Sequence, residues 1–143
     1  MNVRTEIPPE LVEAYGATLF RCGDGSDAFV LRIGAYSAPL ADLYVSADVS
    51  SAAFLTAFNP RSETQSADAN ATAHARLGAE LAAAGYRLVE GAGEDSAGLW
   101  PAERSYLVLG IELEAAREAG RRNGQNAIVW VGADAVPTLI LLR

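Results

Sequence analysis

An α+β fold, with a mostly antiparallel sheet and helices on one face, is predicted by three features of this 143-residue chain. From residue 52 onward, apolar runs and helical stripes follow in the order strand, helix, strand, strand, helix, strand, which is the ferredoxin-like βαββαβ order. Upstream, "ATLFRC" and "AFVLRIG" flank "GDGSD", two β-prone runs around a Gly-Asp-Gly-Ser turn, and read as an N-terminal hairpin. Downstream, "NAIVWV", a "GADA" turn and "VPTLILLR" read as a closing hairpin. Pro137, which has no N–H for a ladder, puts the last strand at a sheet edge.

Each element has its own local cause. Pro8 and Pro9 precede "ELVEAY" and suit the first turn of a short helix. Ser37 caps a second short helix, with Pro39 early in it and Leu40, Leu43 and Tyr44 on one stripe. "AAFLTAF" at 52–58 is apolar on both faces, as a central strand would be. Asn59-Pro60 stops it, because Pro donates nothing to a ladder and forces its predecessor to be extended. The long helix that follows has two candidate starts. One is Ser62 with Gln65 as a capping box, and the other is Ser66. The helix runs to about Ala84, with Gly85 as its stop. "YRLVEG" and "SYLVLGI" are strands separated by the Gly-rich acidic loop "AGEDSAGLWPAE". "ELEAAREAGRRN" is helical, acidic first and basic last, as the helix dipole favours, and Gly124 ends it. Leu77, Leu81, Leu107, Leu109, Ile128 and Trp130 are expected in the core. No repeat, low-complexity tract or linker divides the chain, so residues 1–143 are expected to form a single domain.

Composition narrows the function classes. Half the residues are hydrophobic and 20% charged, the balance of a globular chain rather than a disordered one. The net charge of −7 repels phosphate backbones, so nucleic acid is not an expected partner. Cys22 is the sole cysteine, which rules out an intramolecular disulfide. "MNVRTEIPPE" lacks the apolar core of a secretory signal, and apolar runs fall far short of the ~18 residues of a membrane span. A cytoplasmic, bacterial protein without a membrane partner is the expectation. Oligomeric state is not readable.

Topology then gathers polar residues. In an antiparallel βαββαβ unit the end of the first strand, the start of the first helix, the start of the third strand and the start of the fourth share one edge. That edge collects Asn59, Arg61, Ser62, Ser66, Asn70, Glu103, Arg104, Ser105, Gln125 and Asn126. Helical phase places Asn70 and His74 on the inward stripe set by Leu77, Leu81 and Ala84. A buried amide needs partners, and the nearest are at the Asn59-Pro60 turn. Asn59, Asn70 and Gln125 are therefore expected to form one hydrogen-bonded corner.

"FLTAFNPRS", Asn70, Glu103 with Ser105 before "YLVLGI", and "GQNAIVW" together resemble a bacterial family catalogued as domain of unknown function 3293. The resemblance runs roughly from Tyr15 to the end. It departs from the family pattern at Phe58, where Trp is common, and at Ala102 or Arg104, where a second acidic residue is common. The resemblance implies no established activity.

Each candidate has two readings. Asn59, Ser62, Ser66 and Asn70 cradle an anion with Arg61 as counter-charge, or they only cap the helix and close the turn. Gln125 and Asn126 contact a ligand, or pair with the corner. Glu103 is a general base, or a surface carboxylate paired with Arg61 or Arg104. His74 alone makes no usual zinc site and reads as structural, and Cys22 as a small core residue. No catalytic residue, metal site or cofactor motif is assigned; Gly-x-Gly-x-x-Gly, Walker and Gly-x-Ser-x-Gly patterns are absent. Two functions follow. One is binding of a small polar or anionic ligand at the edge formed by the Asn59-Pro60 turn, the 91–105 loop and Gln125. There "GAGEDSAGLW" would act as a lid with Trp100 at its tip. The other is a protein-interaction or regulatory module without a small-molecule ligand. Enzyme activity ranks last, because no nucleophile–base pair is readable.

Overall fold

The computed structural model describes residues 5–98 and 101–143. Helix α1 (Pro9–Gly16) opens on Pro9 in its first turn. Strands β1 (Leu19–Cys22) and β2 (Phe29–Leu31) form the first hairpin, with Arg21 opposite Val30. Helix α2 (Ala38–Ala47) starts at Ser37, whose hydroxyl accepts the Leu40 N–H at 3.2 Å. The remaining elements are β3 (Ala52–Leu55), α3 (Ala67–Ala83), β4 (Arg87–Glu94), β5 (Glu103–Leu109), α4 (Leu113–Arg122), β6 (Ala127–Val131) and β7 (Pro137–Leu141).

The strands make a seven-stranded antiparallel sheet in the order β2-β1-β4-β5-β3-β6-β7. Its middle, β4-β5-β3-β6, is the ferredoxin-like arrangement, with the N-terminal hairpin added at one side and β7 at the other edge. Side chains alternate between two cores. Ala53, Leu55, Val108 and Ile128 face α3 and α4, where Leu77, Leu81, Ala116 and Ala119 cover them. Ala52, Phe54, Leu107 and Val131 face the other way, where Leu40 and Tyr44 of α2 meet them. The expectation of helices on one face thus describes the two helices of the βαββαβ unit, and α2 adds cover to the second face. Leu77, Leu81, Leu107, Leu109 and Ile128 are buried, as expected. Trp130 is half-buried, with its indole N–H donating to Ile111 O at 3.0 Å at the rim of the helix-side core.

Two local departures matter for the site. The strand that begins at Ala52 ends at Leu55, three residues short of the apolar run. Thr56 Oγ1 donates to Arg104 O at 2.8 Å and accepts the Phe58 N–H at 3.1 Å, so a side chain replaces the ladder there. The two ends of the expected 91–105 loop are paired strand. Gly91 pairs with Ser105, Ala92 with Arg104 and Gly93 with Glu103, so β4 continues past the apolar "YRLV" run. The reason is backbone approach: a Cβ on Gly91 would lie 2.2 Å from Arg21 O of β1. Gly-Ala-Gly carries too little side chain for its strand character to be read from hydrophobicity. Trp100, the proposed lid tip, lies outside the described residues. Among the described residues no helix is long and apolar enough to cross a membrane.

Candidate functional site

The edge predicted from topology forms around the turn after β3. Asn59, Arg61 and Ser62 all have positive φ, at 45°, 58° and 59°, so Asn59 is left-handed rather than extended as the following proline favours, because its N–H and side chain are held by Asn70. Such values strain any residue with a Cβ, though Asn tolerates them best, so the turn must be held by its surroundings. Three sets of bonds hold it. Asn59 donates its N–H to Asn70 Oδ1 at 2.9 Å, and Asn70 Nδ2 donates back to Asn59 Oδ1 at 3.0 Å. Arg61 N–H donates to Gly124 O at 2.8 Å. The Ser62 hydroxyl meets Tyr15 Oη at 2.5 Å, and Asn126 Nδ2 donates to that tyrosine oxygen at 3.0 Å.

Gln65 and Glu103 complete the corner. Gln65 donates its N–H to Asn59 Oδ1 at 3.1 Å and its Nε2 to Asn70 Oδ1 at 2.7 Å. Asn59 Nδ2 donates to Glu103 Oε2 at 2.6 Å. Asn70 is 7% exposed, so its two-sided bonding satisfies an amide that water does not reach. Gln125 joins from behind: its Nε2 donates to Phe58 O at 3.1 Å and Asn123 O at 3.3 Å. The predicted corner of Asn59, Asn70 and Gln125 therefore exists, with Gln125 reaching the backbone before Asn59 rather than its amide. Ser66, not Ser62, caps α3, accepting the Ala69 N–H at 3.1 Å. Ser105 is buried and donates to Glu103 O at 3.0 Å. Arg61 is exposed, and among the described residues its guanidinium makes no hydrogen bond or ion pair.

Glu103 is not paired with Arg61 or Arg104; Arg104 instead pairs with Glu90 at 3.1 Å. Burial raises the Glu103 carboxyl above its ordinary pKa, and the Asn59 amide offsets this in part. A raised folded-state value adds stability below the unfolded pKa of about 4.3, and that stability is lost as pH rises through the folded value. Glu103→Gln keeps the acceptor for Asn59 and removes the charge. The variant is expected to gain stability relative to the parent as pH rises from about 4 to about 7. Urea midpoints at a series of pH values measure this, and a difference that stays constant with pH would count against it.

His74 is 2% exposed, stacked on Tyr106 with centroids 4.2 Å apart, and lies 3.0 Å from Glu90 Oε1. That hydrogen bond, then Arg104, lowers the Glu90 carboxyl below its ordinary pKa despite a contribution from burial. Burial pushes the Cys22 thiol up to about 12, so it stays protonated and unreactive. Among the described residues, no group of three or more His, Cys, Asp or Glu side chains is placed to hold a metal ion.

A cleft of about 620 Å³ opens beside the turn, between α3 and the end of α4, touching Pro60, Gln65, Arg76, Arg122 and Gly124. Asn59, Arg61 and Gln125 are not among the residues that line it. Several participants were not among the predicted site residues. Tyr15 lies 47 residues from Ser62 and carries no local signal. Gln65 was visible only as a capping-box partner, and Arg76 was not singled out.

Residues 55–128, 74 of the 143, match the family described as "Protein of unknown function (DUF3293)". The matched span contains the whole corner, from Asn59 through Asn70 and Glu103 to Gln125. No curated protein and no solved structure matches the chain. The chain belongs to this family.

Proposed function

We propose that this member of the DUF3293 family is a binding module for a small polar or anionic ligand. The ligand would sit at the edge formed by the Asn59-Pro60 turn, the 91–105 segment and Gln125. One observation carries the reading. Three residues with side chains are held at positive φ within four positions, and the result is an outward guanidinium, Arg61, without a protein partner among the described residues. Strain persists where surrounding bonds over-determine it, and it clusters at ligand sites. The adjoining cleft supports the reading, since its volume lies in the range of small-molecule sites.

The competing reading, a protein-interaction module, is favoured by the amides of Asn59 and Gln125 being bonded within the fold rather than free for a ligand. A bacterial cytoplasmic location and the lack of a nucleic-acid partner belong to either reading, and the net charge of −7 supports the second of these.

Thermal unfolding with inorganic phosphate and with citrate separates the two. At about ten times Kd, a bound anion is expected to raise the parent's melting temperature by about 4 °C. Arg61→Ala should lose most of that rise while its unliganded melting temperature stays nearly unchanged, since Arg61 is exposed. An equal rise in both proteins would remove Arg61 from the site. No rise in the parent would leave the interaction reading.

A further inference from the structure

We propose that the cleft between α3 and the end of α4 takes a short zwitterionic peptide, with its ammonium at Asp68 and its carboxylate at Arg76. The proposal rests on the reading of this region as a small-ligand site and names a class of ligand for the cleft that adjoins the turn through Pro60 and Gly124. Asp68, Thr72 and Arg76 follow at four-residue steps on α3, and all three line the cleft. Eight residues of helix separate the two charges by about 12 Å along the axis. Neither side chain makes a hydrogen bond or ion pair among the described residues, so the cleft lining carries one free charge of each sign, about two helical turns apart.

The walls between these charges match a peptide backbone. Gln65 and Asn123 line the cleft, and each spends its amide N–H group inside the fold, on Asn70 Oδ1 and Ala119 O. Their side-chain carbonyls accept no hydrogen bond among the described residues. They are therefore free acceptors for peptide N–H groups, which an inorganic anion does not offer. Ala57, Ala69, Ala73 and Pro60 supply apolar surface that suits small side chains. Arg122 lines the same cleft from α4, but Glu80 and Glu118 already pair with its guanidinium, which leaves Arg76 as the free cation for the carboxylate. Three extended residues span about 10 Å, which matches the separation of Asp68 and Arg76 once side-chain reach is included.

Asp68 also suits the first turn of α3 through the helix dipole, so affinity alone would not identify its role. Selectivity does. Calorimetric titration of the full chain with trialanine, N-acetyl-trialanine, trialanine amide and alanine is the test. Trialanine is expected to bind best. Acetylating its ammonium or amidating its carboxylate should each weaken binding about threefold to fivefold, the effect of one solvent-accessible ion pair. Asp68→Asn should abolish the penalty for acetylation, and Arg76→Gln the penalty for amidation. Both residues are exposed, so both variants should fold, which an unchanged melting temperature would confirm. Alanine, too short to bridge the two charges, should bind more weakly than trialanine. Equal affinity for free and capped peptides, or no binding of trialanine at millimolar concentration, would overturn the proposal. If phosphate or citrate still raises the melting temperature, the anion-binding reading survives that failure; if nothing does, both fall.

Discussion

Replacing Leu81 with Ala is expected to cost about 2–5 kcal/mol of folding stability, near the upper end of that range. Leu81 is 2% exposed and shares the helix-side core with Leu77, Tyr106 and Val108. The cost of such a truncation depends on how far the surroundings can move into the void. Here they cannot move far. A Cβ on Gly78 would lie 2.4 Å from Tyr106 Oη, so α3 is already seated as close to β5 as a glycine permits. Tyr106 Oη donates to His74 O at 3.2 Å, and Asn70 ties the other end of the helix to the turn. A helix pinned at both points leaves the cavity open. Urea titration of parent and variant gives the loss directly. A value below about 1 kcal/mol would mean that α3 is peripheral to the core rather than half of it.

The parts of this fold that were legible in the sequence are those with a periodic cause. The βαββαβ order came from runs and stripes between residues 52 and 131, and the structure has it. Asn70 could be turned inward because helical phase is rigid, and it bonds the 59–62 turn as that phase required. The parts that were not legible lack such a period. The extension of β4 through Gly91 and Gly93 has almost no side chain to read, so the first residues of the expected loop are strand instead. The cover that α2 gives the second sheet face depends on where a connection outside the repeating unit crosses, which composition does not encode. Tyr15 reaches Ser62 only because α1 returns to the edge, a tertiary contact with no local signature. The positive φ of Arg61 is likewise imposed by Gly124 O and the corner, against the residue's own preference.

Asn70→Ala is the second large effect, expected to cost about 1–3 kcal/mol. The substitution improves intrinsic helix propensity by about 0.5 kcal/mol, so propensity alone predicts a gain. The hydrogen bonds decide otherwise. Without Asn70 Oδ1, the Asn59 N–H and the Gln65 amide lose their acceptor, and Asn59 Oδ1 loses one of its two donors. The Asn59 N–H has no other partner in the turn, and an unpaired, partly buried donor costs more than the propensity gain returns. Guanidinium or urea titration would show the net loss, and a stabilised variant would mean that the corner is loose enough for water to replace the amide.

The central claim is that Asn59 and Asn70 act as one unit that holds the strained turn and so sets the edge where ligand is proposed to bind. A double-mutant cycle on Asn59→Ala and Asn70→Ala, read by denaturant titration, tests it most directly. Residues bonded to each other in two directions should show a coupling of at least about 1 kcal/mol, the double variant losing less than the sum of the singles. Additive losses, with a coupling within about 0.3 kcal/mol of zero, would contradict the claim.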